Sequence, residues 1–268
     1  MNSFESVKGK VAVVTGATAG IGKAIAEVFA ENGMKVILSA RREELGEKIA
    51  EDIRAKGGDA VFFKADVSKE EDVKKLMQYA EDTYGKLNVV INNAGASTLL
   101  HPIHEYEVDE FCRITNIDYV GVFMGMKYAA QTMLETGSEG CSIINISSAE
   151  GIYPTASFAP YSGAKRAVLS LTQTAALDYA RHDITVNCIC PGATDTDIYS
   201  TISPEQRELT QSMIPNGRFA RPEEMAYTAL FLASDLARYI TGAIIPVAGG
   251  MGVGNYTEVP WAKEYPKK

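Results

Sequence analysis

Seven short apolar runs punctuate the chain, at residues 11–15, 35–39, 60–64, 88–92, 142–147, 185–189 and 243–247. They are rich in Val, Ile and Phe and show no strict polar alternation, the pattern of strands buried on both faces. Between them lie stretches of helical period, such as Ile21, Ile25, Val28 and Phe29 after the first run. Strands alternating with helices predict an α/β architecture, a parallel sheet covered on both faces. No Pro/Ser linker, charge block or internal repeat divides the sequence, so one domain is expected over 1–268, with 252–268 as a C-terminal extension.

The first run leads directly into Thr15-Gly-Ala-Thr-Ala-Gly-Ile-Gly22 and then a helical pattern. Glycines between a strand and a helix allow a tight turn and close backbone approach to a pyrophosphate, and the helix N-terminus offers unpaired N–H groups to its charge. The spacing, TGxxxGxG at Gly16, Gly20 and Gly22, differs from the more general GxGxxG.

A second constellation combines a phenol, a cation and a hydroxyl. Tyr161 and Lys165 are four residues apart, with Ser148 thirteen positions upstream of Tyr161. On a helix, that spacing puts the ammonium beside the phenol. Bringing a tyrosine from about pH 10 to about 7 takes roughly 4 kcal/mol of preferential phenolate stabilisation, which a nearby cation in a partly dry site supplies. Such a set suits proton transfer to or from an alcohol oxygen. Ser147 is adjacent, but a strand sends neighbouring side chains to opposite faces, and the thirteen-residue gap runs from Ser148.

From about Lys10 to Met251 the chain resembles the short-chain dehydrogenase/reductase family. The markers occur in the family's order: the glycine turn, Asp66-Val67, Asn92-Asn93-Ala94-Gly95, Ser148, Tyr161 with Lys165, and Pro191-Gly192 followed by Thr194 and Thr196. The resemblance implies a Rossmann-like doubly wound sheet of seven strands in order 3-2-1-4-5-6-7, a nicotinamide cofactor and no metal. It makes Tyr161 the general acid in reduction and the base in oxidation. Lys165 lowers its pKa and binds the nicotinamide ribose, and Ser148 hydrogen-bonds the substrate oxygen. It places the cofactor on Gly16, Thr18, Ala19, Gly20, Ile21, Gly22, Arg41, Arg42, Asp66, Val67, Asn93, Ala94, Gly95, Tyr161, Lys165, Pro191, Gly192, Thr194 and Thr196. Asp66 is read equally well as a turn or N-cap residue before the helix that follows.

One position departs from the family. The asparagine that usually helps hold a proton-relay water falls on Asp118 when the helix is anchored on Phe111, Arg113, Gly121 and Phe123. Asn116, two residues earlier, would lie about 200° around the helix, so Asp118 is the expected fourth catalytic residue, with Asn116 the alternative if the register differs. The resemblance also implies a homotetramer built on the helices carrying Asp118 and Tyr161, where Ala164, Ala167, Ala175 and Ala176 would either permit close helix contact or line the sheet.

Composition narrows the partners. With 268 residues, 46% hydrophobic and 22% charged, the chain can bury a full core, and its net charge of -8 disfavours nucleic acid and anionic membranes. No apolar stretch approaches the ~20 residues of a membrane span, and the opening MNSFESVKGK has no signal-peptide core, so a soluble, cytoplasmic protein is expected. Cys112, Cys141, Cys188 and Cys190 fall in or beside predicted core elements and are read as reduced and structural. His101, His104 and His182 complete no metal-ligand spacing.

At the end of the second run stands Ala40-Arg41-Arg42. A carboxylate there would favour the 2′-hydroxyl of NAD, whereas arginine favours a 2′-phosphate. Ala40 takes the acid's place and Arg41 follows it, so NADP is expected. Residues 96–104, 150–160 and 197–213 should border the substrate pocket, and their Leu, Ile, Tyr and Phe suit a small molecule with an apolar ring system. The whole resembles bacterial hydroxysteroid dehydrogenases, including those acting on bile acids. Reduction of 3-oxoacyl-carrier-protein, oxidation of small cyclic alcohols and, in another class, non-catalytic NADPH sensing are the alternatives.

Overall fold

In the computed structural model the described residues are 4–199 and 202–253. Seven parallel strands form one sheet in order β3-β2-β1-β4-β5-β6-β7. They are β1 Val11–Thr15, β2 Lys35–Ala40, β3 Asp59–Lys64, β4 Val89–Asn92, β5 Cys141–Ile146, β6 Ile184–Pro191 and β7 Ile244–Val247. Most expected strands match within a residue or two, and β6 runs two residues further, through Pro191. Helices α1 Gly20–Glu31, α2 Glu43–Ala55 and α9 Pro222–Ala233 cover one face; α3 Glu70–Tyr84, α5 Gly121–Glu135 and α7 Ala159–Tyr179 cover the other. Each face has its own apolar core, around Ile25, Phe29 and Leu38 on one side and Leu76, Met133 and Ile143 on the other. Every residue of β1, β4, β5 and β6 is buried, the outcome for strands covered on both faces.

The strand order reverses between β1 and β4, and a crevice opens there beyond the carboxyl ends of the strands. Polar side chains brace its floor. The Thr15 hydroxyl donates to the Ile91 carbonyl at 3.1 Å and accepts from the backbone N–H groups of Asn93 and Ala94 at 3.0 and 3.1 Å. Asn92 donates to Asn145 at 2.8 Å, which donates to Thr172 of α7 at 2.9 Å, so a buried ladder ties β4 and β5 to α7. A Cβ on Gly125 of α5 would lie 2.0 Å from Asn92 Oδ1, which is why a glycine stands there.

The helix expected to carry Asp118 is not continuous. An α-helix, α4 Val108–Thr115, passes through a π-helical turn, Asn116–Val120, into α5. The extra residue per turn resets the face that each later residue presents, and such turns concentrate at functional sites. Periodicity alone does not reveal it.

The remaining expectations fare differently. Ala164, Ala175 and Ala176 are already buried within the chain, so they line the fold rather than an open helix face; Leu177 beside them is exposed. Cys112 is exposed, whereas the other three cysteines are buried. No helix of the described residues is long and apolar enough to cross a membrane. Of the C-terminal extension, residues 254–268, with Tyr256, Val259, Pro260 and Trp261, lie outside the described residues.

Candidate active site

A cleft of about 570 Å³ follows the crevice from the β2 end to α6, Ala149–Ile152, and α7. Its first half is made largely of main chain. Gly16 and Gly20 have φ of +67° and +51°, which L side chains adopt only with strain. A Cβ on Gly16 would also lie 2.8 Å from the Ala94 Cα, so the turn and the end of β4 can approach only without it. The N-terminus of α1 opens here with no side-chain cap, as in α2 and α3, but unlike theirs its first turn carries no acidic residue. Uncapped N–H groups free of carboxylates suit a pyrophosphate.

Gly16, Thr18, Ala19, Gly20, Ile21, Arg41, Arg42, Asp66, Val67, Asn93, Ala94, Gly95, Pro191, Gly192, Thr194 and Thr196 all line the cleft. Gly22 does not. Its missing Cβ would sit 2.4 Å from Asn93 Nδ2 and 2.5 Å from the Gly16 carbonyl, so it serves close packing of α1 on the turn rather than the cleft wall. Asn93 braces as well as lines, donating to the Thr15 carbonyl at 2.9 Å.

The two arginines separate in role. Arg42 donates to the Thr18 hydroxyl at 2.9 Å, clipping the glycine turn to the end of β2. Arg41 is exposed and lies near Asp66 across the cleft mouth. Asp66 accepts from the Ser68 amide at 3.1 Å and hydroxyl at 2.7 Å, so it has the turn role as well as a place in the cleft. Partial burial opposes its charge, but Ser68 and then Arg41 hold the carboxyl below the ordinary aspartate value. Ser39, which the sequence did not single out, also lines this end, and its buried hydroxyl finds no partner among the described residues.

The second half is made of side chains. Tyr161 and Lys165 lie one turn apart on α7, with Lys165 Nζ 5.5 Å from the Tyr161 ring centroid. Phe158, just before α7, stacks on Tyr161 at 4.8 Å between centroids and limits its rotation. Ser148 caps α6, its oxygen accepting from the Glu150 amide at 3.1 Å. That leaves the hydroxyl proton for another acceptor. The Ser147 hydroxyl donates to the Lys165 carbonyl at 2.8 Å, pinning α7 to the end of β5.

Beneath Lys165 lies Asp118, fully buried, with Oδ2 3.3 Å from Nζ. Its Oδ1 accepts from the Ala96 amide at 2.7 Å, while Oδ2 receives no aligned hydrogen bond. Lys165 also donates to the Ile146 carbonyl at 3.3 Å. Burial is the largest influence on the Lys165 charge and works against it; the Asp118 carboxylate, Tyr161 and Cys188 together outweigh it and hold the ammonium above the ordinary lysine value. Gly95 leaves room for the pair, since a Cβ there would stand 3.3 Å from Nζ and 3.4 Å from Oδ2. Asn116 instead points out of the cleft, 3.4 Å from the Ser68 carbonyl. A phenol, a hydroxyl with a free proton and a buried cation thus meet at one end of the cleft, an arrangement able to protonate or deprotonate an alcohol oxygen.

The expected apolar pocket is thinner than the loops promised. Leu99, Leu100 and Ile103 are 75%, 61% and 77% exposed, and of residues 96–104 it is Ala96 and Ser97 that line the cleft. The lining beside Ser148 and Tyr161 is Glu150, Phe158, Tyr199 and Met251. Phe158 and Tyr199 fall in stretches read from the sequence as pocket borders; Met251 carried no local signal.

Known proteins agree with this geometry. A family model described as enoyl-(acyl carrier protein) reductase matches residues 16–252. The chain is 37% identical over 248 residues to a 2,5-dichloro-2,5-cyclohexadiene-1,4-diol dehydrogenase of Sphingobium indicum, covering 92% of this chain and 97% of the relative. It is 39% identical over 253 residues to 3beta-hydroxysteroid dehydrogenase 1 of Eggerthella lenta, covering 92% and 95%. A dehydrogenase/reductase from Sinorhizobium meliloti 1021 superposes with a TM-score of 0.86 at 29% identity, over 92% of this chain and 98% of that one. The chain belongs to the short-chain dehydrogenase/reductase family, nicotinamide-dependent oxidoreductases that act on CH–OH groups.

Proposed function

We propose that the protein is an NADP-dependent dehydrogenase that interconverts a secondary alcohol and a ketone on a six-membered ring, with a hydroxysteroid, bile acids included, as the leading substrate. The observation that carries this reading is the buried Lys165–Asp118 pair under Tyr161, beside Ser148. Both named relatives act on alcohols borne by a six-membered ring, in one case within a steroid.

The nicotinamide supplies the hydride acceptor or donor when bound. The chain's own residues handle the proton. Ser148 donates a hydrogen bond to the substrate oxygen and keeps its proton, while Tyr161 gives that oxygen its one proton during reduction or removes it during oxidation. Lys165 places its positive charge 5.5 Å from the Tyr161 ring and would hold the nicotinamide ribose hydroxyls. Asp118 keeps Lys165 charged and, in place of the usual asparagine, serves the proton relay. Arg41, next to Ala40 and with no hydrogen bond to the described residues, is the group for a 2′-phosphate. Gly16, Gly20 and the α1 N-terminus hold the pyrophosphate, while Asp66 and Val67 border the adenine.

The chain is further proposed to work as a cytoplasmic homotetramer. Exposed Phe111, Phe123 and Leu177 on α4, α5 and α7 give its subunits an apolar contact, and light scattering on the purified protein reads the mass directly.

Cofactor absorbance tests the chemistry, pairing NADP and NAD with bile acids, neutral steroids, cyclic alcohols and an acetoacetyl thioester. Steroid or cyclic-alcohol turnover with NADP preference is expected. Turnover of the thioester alone would favour the second reading, a 3-oxoacyl-carrier-protein reductase; the description of the matching family model shares the carrier-bound substrate with it but names reduction of the enoyl form. Tight NADPH binding with no turnover would revive the sensing role.

A further inference from the structure

The substrate end of the cleft carries a charge. Glu150 lies two residues past Ser148, half-buried and in the cleft wall with Phe158, Tyr161, Tyr199 and Met251. Its carboxylate accepts from the Thr155 amide at 2.8 Å, the Thr155 hydroxyl at 2.7 Å and the Ser162 hydroxyl at 3.3 Å. Ser162 stands on α7 between Tyr161 and Lys165, so the carboxylate is tied both to the loop before α7 and to the helix bearing the proton donor. All three donors are neutral. They fix the direction of the group without cancelling its charge, and the partly dry walls screen that charge less than bulk water does.

Among the described residues none of the cations nearby forms an ion pair with Glu150. Lys165 is paired with Asp118. Arg113, also in the cleft wall, is held by Glu110 at 2.7 and 2.9 Å and by the Ser97 carbonyl at 3.1 Å. Arg166 donates to the carbonyls of Gly151 and Ile152, both at 3.0 Å. The substrate therefore meets aromatic surface on Phe158 and Tyr199 together with a negative wall.

Resting on the ring-alcohol reading above, we propose that Glu150 is a specificity-determining residue that favours neutral ring alcohols and ketones over those whose carboxylate comes to lie on this wall. Within the hydroxysteroids this ranks neutral steroids above bile acids without excluding the latter. A neutral substrate with a second hydroxyl gains an acceptor in Glu150, whereas an anionic one meets a like charge it cannot neutralise.

The test compares matched pairs that differ only in charge: 4-oxocyclohexanecarboxylate with its methyl ester, and a 3-oxo bile acid with its methyl ester, each reduced with NADPH. The wild type is expected to favour the ester at least about tenfold in kcat/KM, equivalent to about 1.4 kcal/mol. That ratio should shrink as salt is raised. In Glu150→Gln, which keeps the side-chain length, it should fall to within about threefold because the carboxylate substrate improves, and its salt dependence should vanish. Equal use of ester and carboxylate by the wild type, or a ratio unchanged by Glu150→Gln, overturns the charge proposal and leaves the ring reading standing. If neither member of either pair is turned over, the ring reading fails and this proposal fails with it. Should the variant not fold, the wild-type ratio and its response to salt decide the matter alone.

Discussion

The two halves of the cleft are built from different material. At the cofactor end the wall is backbone: the turn at Gly16 and Gly20, the first turn of α1 and the braced ends of β1 and β4. At the substrate end it is side chains on short or irregular segments: the four-residue helix α6, the π turn and the loop before α7. A backbone site demands particular residue types at fixed spacing, because glycine adopts those φ values without strain and its missing Cβ lets two chains approach so closely. A side-chain site demands only that some polar or aromatic group reach a point in space, and many sequences can do that.

That difference predicts where substitutions act. The largest effect is expected at the substrate end, from Tyr161→Phe. Removing the phenol should lower kcat by about 10²–10⁴-fold while NADPH affinity, read by fluorescence titration, stays within about threefold. A parallel loss of cofactor binding would mean that the two halves are not separable.

Next comes the buried pair. Asp118→Ala leaves the Lys165 charge buried without its partner, and breaking such a pair costs about 3–5 kcal/mol of stability. Turnover should fall by about tenfold or more, whereas Asn116→Ala, which touches only the Ser68 carbonyl at 3.4 Å, should stay close to wild type. Denaturant unfolding alongside initial rates measures both, and the opposite ranking would place the relay residue two positions earlier.

The smallest effect belongs to the cofactor mouth. Arg41→Ala should raise the KM for NADP about tenfold, about 1.4 kcal/mol, and leave the KM for NAD nearly unchanged. Equal changes for both cofactors would mean that Arg41 is a solvated loop charge.

The same contrast governs how much was legible in the sequence. The seven strands announced themselves as apolar runs, and the glycine turn, Ser148, Tyr161 and Lys165 stood at readable spacings because backbone geometry and one helical turn require them. Gly22 was assigned to the cofactor although it packs α1 on the turn, since a glycine motif does not say which missing Cβ faces a ligand and which faces the chain. The π turn at 116–120 was invisible to a 3.6-residue period. Leu99, Leu100 and Ile103 appeared suited to a pocket, yet the loop fold turns them to solvent. Glu150 was within a loop assigned to the pocket border, but its charge mattered only once Thr155 and Ser162 were seen to hold it there.

Central to the account is that Asp118 sets the charge state of Lys165 beneath Tyr161, and the pH dependence of kcat/KM for wild type and Asp118→Asn tests it most directly. Burial pushes the Lys165 pKa down, while Asp118 first, then Tyr161 and Cys188, push it up; the net value lies above the ordinary one. The stabilising contribution of the charged lysine is therefore complete below the unfolded-state pKa and is lost only as pH rises through the higher folded value. With Asn at position 118 the main opposing charge is gone, and Lys165 should lose its proton at lower pH. The account predicts that the alkaline limb moves down by at least about one pH unit, equivalent to about 1.4 kcal/mol. An unmoved limb in a folded, NADPH-binding variant would contradict it.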